Sequence, residues 1–313
     1  MARAFLFPGQ GAQMVGMGKA LAAAYPAAKA VFDEVDEALG EALSALVFDG
    51  DQGELTLTQN AQPALMAVSM AVMAALKSEG VGVEAAAYVA GHSLGEYSAL
   101  AAAEAISVGD AAKLLRLRGQ AMQAAVPVGE GAMAALLGLD FEMVKTIAHA
   151  AAQNEVLAAA NDNDPGQVVV SGTKAAVRRA VALAKERGAK RAVMLPVSAP
   201  FHCLLMEPAA AAMADALSHV PIHRPKVPLV ANVLAHDVSD PATIRSLLVE
   251  QVTHSVRWRE SVAWMAAQGV TETWEIGAGK ALSGMVRRID RSLTTRTVEA
   301  PDEVAAAAES MRS

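Results

Sequence analysis

The segment Gly91-His92-Ser93-Leu94-Gly95 constrains the fold of this chain more than any other. A run of small apolar residues, Ala86–Ala90, leads into it, and a helix-forming stretch leaves it at Leu94. Gly-x-Ser-x-Gly between a strand and a helix describes a sharp turn with the serine hydroxyl exposed at its apex. The glycines remove side chains that would collide there. The first amides of the following helix point at the same spot and can hold an oxyanion. A glycine-rich turn with an incidental serine satisfies the same five letters. The flanking strand and helix, with His92 alongside, favour Ser93 as a nucleophile.

The rest of the chain alternates in the same way. Leu6 and its neighbours form a first strand ending at Pro8-Gly9-Gln10-Gly11, and a helix follows over about residues 17–39. Pro63 suits the first turn of a second helix, apolar all round and therefore buried, that runs to Ser78. Such alternation predicts an α/β fold with a parallel sheet covered on both faces. The middle of the chain reads strand 132–139, helix 141–153, strands 156–160 and 167–171 around Asn161-Asp162-Asn163-Asp164-Pro165-Gly166, helix 173–187 and strand 191–197. That order, βαββαβ, is the ferredoxin-like pattern. Asn161 and Asn163 read as turn formers. Two further strands are expected at 227–230 and 273–276. The expected layout is a hydrolase-like parallel-sheet domain over 1–127 and 198–313, with an inserted ferredoxin-like subdomain over 128–197.

Composition excludes several classes. Of 313 residues 53% are hydrophobic and 19% charged, enough apolar matter for a core and against disorder. A net charge of −7 argues against general nucleic-acid binding. The apolar segment Ala64–Leu76 is too short to span a bilayer, and residues 1–7 lack a basic leader followed by a long apolar run. One cysteine gives no disulfide framework. An enzyme of the cytoplasm, with no membrane and no nucleic-acid partner, is expected.

A serine hydroxyl needs a base, and the chain has seven histidines. His92 adjoins the serine, where neighbouring side chains diverge. Pro221 separates His219 from His223, which argues against a helical metal pair, and no metal site is expected. His149 reads as helix surface, and His236 and His254 as loop positions. His202 follows Pro196-Val197-Ser198-Ala199-Pro200-Phe201, a segment stiffened by two prolines, and is the favourite among several. Cys203 reads as a small buried residue.

Arg118 is the most informative position after Ser93. In a helix over 110–125, with Asp110 as N-cap, Lys113, Arg116, Gln120 and Gln123 share one stripe. Leu114, Leu115, Met122 and Ala125 share the opposite one, and Arg118 lies on the apolar side. A buried arginine keeps its charge and needs a partner. That partner is either a protein carboxylate or the carboxylate of a substrate.

Several segments together identify a family. Phe7-Pro8-Gly9-Gln10-Gly11-Ala12-Gln13, Gly91–Tyr97, Leu115-Arg116-Leu117-Arg118-Gly119, Gly131–Ala135, Gly166–Gly172, Ser198–His202, Leu248–Gln251 and Glu275–Lys280 stand in order over nearly the whole length. In these the chain resembles the malonyl-CoA:acyl carrier protein transacylases, an acyltransferase family of fatty-acid and polyketide synthesis. The resemblance implies a ping-pong transfer in which Ser93, with His202 as base, takes malonyl from coenzyme A and passes it to the phosphopantetheine thiol of acyl carrier protein. It implies an oxyanion hole of the Gln10 and Leu94 backbone amides, and Gln251 orienting His202 through its carbonyl. It gives Arg118 the malonyl carboxylate, and places Phe201 and His92 in the pocket, with Phe201 set against branched methylmalonyl. No tightly bound cofactor is implied; a coenzyme A thioester is the substrate. Carrier proteins are acidic, so a basic docking surface is expected, either at Arg178, Arg179, Lys185, Arg187, Lys190 and Arg191 or at Arg287, Arg288 and Arg291. The rival reading is a serine esterase, whose acid should lie between serine and histidine. Asp140, Asp162 and Asp164 occupy that interval but fall in the expected insertion. Gly277-Ala278-Gly279-Lys280 lacks the spacing of a phosphate loop.

Overall fold

The computed structural model describes residues 2–197 and 199–312; Ser198, in the segment leading to His202, lies outside them. Its strands are β1 (Ala2–Phe7), β2 (Tyr88–Gly91), β3 (Gly131–Leu137), β4 (Leu157–Asp164), β5 (Gln167–Thr173), β6 (Arg191–Met194), β7 (Leu229–Val230), β8 (Asp237–Val238), β9 (Val270–Ile276) and β10 (Thr294–Val298). They form two sheets, one of order β10-β9-β1-β2-β7-β8 and one of order β4-β5-β3-β6.

The larger sheet is parallel from β10 to β7, and only the short β8 pairs antiparallel. β1 shows why its sequence is apolar without alternation. Phe5 and Phe7 enter the core that contains the helix Thr58–Ser78, while Ala4 and Leu6 enter a second cluster with Val256 and Trp258 on the other face. Both faces are covered, so both sets of side chains are apolar. β1 lies between β9 and β2, so the chain leaves it to one side and returns on the other. The crevice at the carboxyl ends of such strands is where an open α/β sheet places a site. Glycines bring the loops there into contact: a Cβ on Gly9 would meet the His92 carbonyl at 2.7 Å, and one on Gly279 would meet the Ala12 Cβ at 3.2 Å.

The second sheet is antiparallel throughout. Ala132, Ala134, Leu136, Val168 and Val170 pack against the helices Phe141–Ala152 and Lys174–Glu186. The opposite face, with Met133, Ala135 and Val169, packs against Phe201, which also touches the main core.

Several expectations are corrected. The helix over 17–39 is two helices, Lys19–Ala24 and Pro26–Leu39, because Tyr25 before the proline is extended, with φ −121°. Pro63 is interior to a helix that starts at Thr58. Its missing N–H would leave the Gln59 carbonyl, four residues back, without a donor, and Arg116 Nη1 donates there at 2.7 Å. This helix is long and apolar enough to span a membrane, but 83% of its apolar window is buried in the fold, so it serves as a core helix. The arginine-bearing helix is Val108–Ala124, capped by Ser107, whose Oγ accepts from the Asp110 amide; Asp110 is in the first turn.

Asn161 and Asn163 are not in a turn. β4 continues to Asp164, and the turn is confined to Pro165 and Gly166. This stretch joins the two sheets. The Asp162 amide donates to the Val256 carbonyl and the Val256 amide to the Ala160 carbonyl, both at 2.9 Å. Asp162 pairs with Arg259, and Asp164 with Arg288, both at 2.7 Å. Turn-forming residue types were recruited as a buried polar seam.

Candidate active site

Ser93 has φ +54°, a left-handed conformation unusual for a residue with a side chain, at the bend between β2 and the helix Gly95–Ala102. The glycines on either side leave no alternative. A Cβ on Gly91 would lie 1.8 Å from the Gly95 carbonyl oxygen, and one on Gly95 would lie 2.3 Å from the Phe7 carbonyl oxygen. Gly91→Ala is therefore expected to lower the melting temperature by about 10 °C or more, read by circular dichroism; an unchanged melt would show that the turn can open. Asn232, just after β7, locks the bend from the other side. Its Oδ1 accepts from the Ser93 amide at 2.8 Å, and its Nδ2 donates to the Gly91 carbonyl at 2.7 Å.

Ser93 Oγ and His202 Nε2 are 2.8 Å apart. His202 is buried, with φ +58°. Its Nδ1 lies 2.9 Å from the Gln251 carbonyl oxygen. A carbonyl only accepts, so Nδ1 carries the hydrogen and Nε2 is left free to accept the serine proton. Burial, helped by the nearby Arg118 cation, pushes the imidazole down to about 3. The ring is thus a neutral acceptor at neutral pH. The acids that an esterase would offer are occupied elsewhere: Asp140 caps the helix Phe141–Ala152, and Asp162 and Asp164 hold arginines in the seam.

Arg118 is 1% exposed. Its Nη1 donates to Gln62 Oε1 at 2.7 Å; its Nη2 donates to Gln251 Oε1 at 2.8 Å and to Ser93 Oγ at 3.1 Å. Among the described residues no carboxylate forms an ion pair with it, and its Nε has no partner. The account in which a protein carboxylate pairs with it directly does not hold. Its depth follows from Gly119, which lets the two helices touch: a Cβ there would lie 2.5 Å from the Gln59 Cα.

Leu94 and Gln10 both border the bend. Leu94 is the first residue before the helix, and Gln10 is on the loop after β1, with its side chain donating to Thr58 Oγ1 at 3.3 Å. Neither backbone amide donates to another group among the described residues. His92 turns away from His202: its Nε2 lies 2.8 Å from Asn163 Oδ1, and its ring meets Trp258 edge-on at 5.7 Å. The oxygen of Asn163 fixes the Nε2–H tautomer and links the second sheet to the bend. Phe201 is half-buried between the two sheets.

Sequence reasoning missed Asn232, Gln62, Glu96 and the contact made by Asn163. Only Asn232 carried a local signal, a polar residue directly after an apolar strand. Of the basic residues, Arg179 and Arg288 are held by Glu155 and Asp164, while Arg178, Lys185, Arg187, Lys190 and Arg191 are exposed.

Residues 4–301 match the acyl transferase domain family. The chain is 48% identical over 310 residues to the malonyl CoA-acyl carrier protein transacylase of Bacillus subtilis (strain 168), covering 99% of this chain and 97% of that one. It is similar to the crystal structure of acyl-carrier-protein-S-malonyltransferase from Bartonella henselae, with a TM-score of 0.98, 54% identity and full coverage of both chains. It is also similar, with a TM-score of 0.96 and 42% identity over 99% of this chain and all of the other, to a malonyl-transacylase solved in complex with its type II PKS acyl-carrier protein.

Proposed function

Since this chain belongs to the acyl transferase domain family, we propose that it transfers malonyl from malonyl-CoA to the phosphopantetheine thiol of acyl carrier protein, through an ester on Ser93, for fatty-acid synthesis. The observation that carries the cargo is Arg118, a buried guanidinium 3.1 Å from the serine oxygen with no carboxylate of the described residues in contact. A short acyl group with its own carboxylate supplies an anion in direct contact with the guanidinium.

In the first half-reaction Ser93 Oγ attacks the thioester carbonyl while His202 Nε2 takes its proton. The oxyanion is held by the Gln10 and Leu94 amides. The C–S bond then breaks, and the proton passes from His202 to the departing thiolate. In the second half, His202 takes the proton of the carrier thiol, the sulfur attacks the ester, and Ser93 leaves with that proton. Gln251 orients His202 through its carbonyl, and Phe201 and His92 wall the pocket. All steps use the chain's own groups, with coenzyme A entering as a substrate. The strand order β4-β5-β3-β6 supports reading residues 128–197 as a ferredoxin-like subdomain inserted into a hydrolase-like domain over 1–127 and 198–313. The exposed cations on its second helix and after it suit an acidic carrier. The reading places the enzyme in the cytoplasm, without membrane or nucleic-acid partners.

Incubation with malonyl-CoA and intact-mass measurement tests this. The expected result is a malonyl adduct that persists in water and disappears when holo acyl carrier protein is added. Rapid release of free malonate would instead make the protein a hydrolase. The similarity to a transacylase of a type II PKS carrier favours a second reading, polyketide synthesis. Preferential unloading onto a polyketide carrier over a fatty-acid carrier would select it.

A further inference from the structure

One buried ionisable group beside the site is used by none of these steps. Glu96, 1% exposed, is the second residue of the helix that follows Ser93. Its Oε2 accepts from Gln251 Nε2, which also donates to the Ser93 carbonyl at 3.0 Å. The other end of the same carboxamide accepts from Arg118 Nη2 at 2.8 Å, and the backbone carbonyl of Gln251 holds His202 Nδ1 at 2.9 Å. Gln251 therefore stands between one anion and one cation while its main chain holds the base. Flipping the carboxamide would set an N–H against the guanidinium donors and an oxygen against the carboxylate, so the two charges together fix its orientation.

We propose that Glu96 is a positioning residue and the resident counter-charge of Arg118: acting through Gln251 it fixes the guanidinium and the base in the empty site, and it takes up a proton when the substrate's own carboxylate arrives. This deepens the malonyl reading and rests on it. With Glu96 ionised, the Glu96–Arg118 pair is neutral. A substrate carboxylate placed on Arg118 would leave a net negative charge in a buried site, and protonation of Glu96 removes it.

The groups around Glu96 make it the one that titrates near neutrality. Burial pushes its carboxyl up to about 7, against the opposing pull of Gln251, Asn232 and Arg118. Tyr97, next to it and 5.9 Å from the Arg118 guanidinium by its ring, is pushed up by burial and stays neutral. His202 and His92 are both pushed down by burial and stay neutral, and Arg118 stays charged.

The test measures the rate of Ser93 malonylation from pH 6 to 8.5 with malonyl-pantetheine, whose lack of phosphates leaves the malonyl carboxylate as its only anion. For the wild type, the specificity constant is expected to fall about thirtyfold over this range, through KM, as Glu96 ionises. Glu96→Gln keeps an acceptor for Gln251 and removes the charge, so its profile should be flat at the wild-type acid limit. Glu96→Leu also releases Gln251 and should lower the saturating rate about tenfold or more, a loss that Glu96→Gln does not share. As a check needing no variant, mixing wild type with malonyl-CoA at pH 7.5 should take up about half a proton or more per site by indicator dye, whereas acetyl-CoA should take up none. Parallel profiles for wild type and Glu96→Gln, or the absence of proton uptake, would overturn the proposal while the malonyl adduct still forms. Absence of any adduct on the wild type would overturn the malonyl reading and this proposal with it.

Discussion

Ser93→Ala is expected to form no malonyl adduct and to transfer malonyl about 10⁴-fold more slowly or worse, with its melting temperature close to that of the parent. The size of the effect comes from what surrounds the oxygen. Ser93 Oγ lies 2.8 Å from a neutral imidazole nitrogen and 3.1 Å from a guanidinium nitrogen. In the proposed transfer the first accepts its proton, while the second donates a hydrogen bond to the oxygen. Among the described residues no other hydroxyl occupies that position. Stability is spared because the bend is held by Asn232 through main-chain atoms and by Gly91 and Gly95, none of which depends on the Ser93 side chain. The pH dependence separates the base from other groups. With His202 pushed down to about 3, adduct formation in the wild type should show no acid limb near the usual histidine value of 6.5. The linkage has a definite sign. The unfolded chain binds a proton on this ring below 6.5 and the folded chain does not, so the stabilisation is present above 6.5 and is lost as pH falls toward 3. Stability, rather than base function, should therefore fail first in acid. Quenched-flow mass spectrometry across pH 5 to 8 checks the first statement. An adduct of the same mass on the alanine variant would move the nucleophile elsewhere.

What was legible beforehand divides along a physical line. Ser93 and the glycines beside it were readable because a tight turn is a local problem with few solutions. Arg118 was readable because a charge on the apolar stripe of a helix violates a local pattern. His202 stood out by its setting, but its pairing with Ser93 crosses 109 positions of sequence. Gln251 and the two backbone amides came from family resemblance, since no pattern in the chain marks a main-chain carbonyl or amide as functional. Asn161–Asp164 were misread for an instructive reason. Their side chains bond readily to their own backbone, and that makes turns when nothing else is at hand. Here Val256, Arg259 and Arg288, brought in from about 90 to 125 residues away, outcompete the local bonds and draw the strand on to Asp164. Pro63 was misjudged likewise, because Arg116 satisfies the carbonyl that the proline strands.

Arg118→Ala should separate substrate selection from chemistry. Malonyl transfer is expected to fall on the order of 10³-fold in kcat/KM, while acetyl transfer changes less than about tenfold. Two charge-assisted hydrogen bonds to a carboxylate in a buried site are together worth about 3 to 6 kcal/mol, which sets that scale. Acetyl has no carboxylate and forfeits nothing there. The complication is that the guanidinium also holds protein groups: Gln62 Oε1 and Gln251 Oε1 each lose a donor when it goes. Gln251 anchors His202 through its main chain, so loosening it would slow every substrate alike. The acetyl rate measures that shared loss directly, and the ratio of the two rates isolates the carboxylate contact. Arg118→Lys sharpens the comparison. A lysine keeps the charge but replaces a planar fork with a single ammonium, so it should recover part of the malonyl rate without restoring the full ratio. Steady-state competition between malonyl-CoA and acetyl-CoA in one vessel gives the ratio without separate calibrations. Equal losses for both substrates would make Arg118 a structural residue and would remove the main support for a malonyl cargo, while leaving Ser93 and His202 as a serine acyltransferase pair.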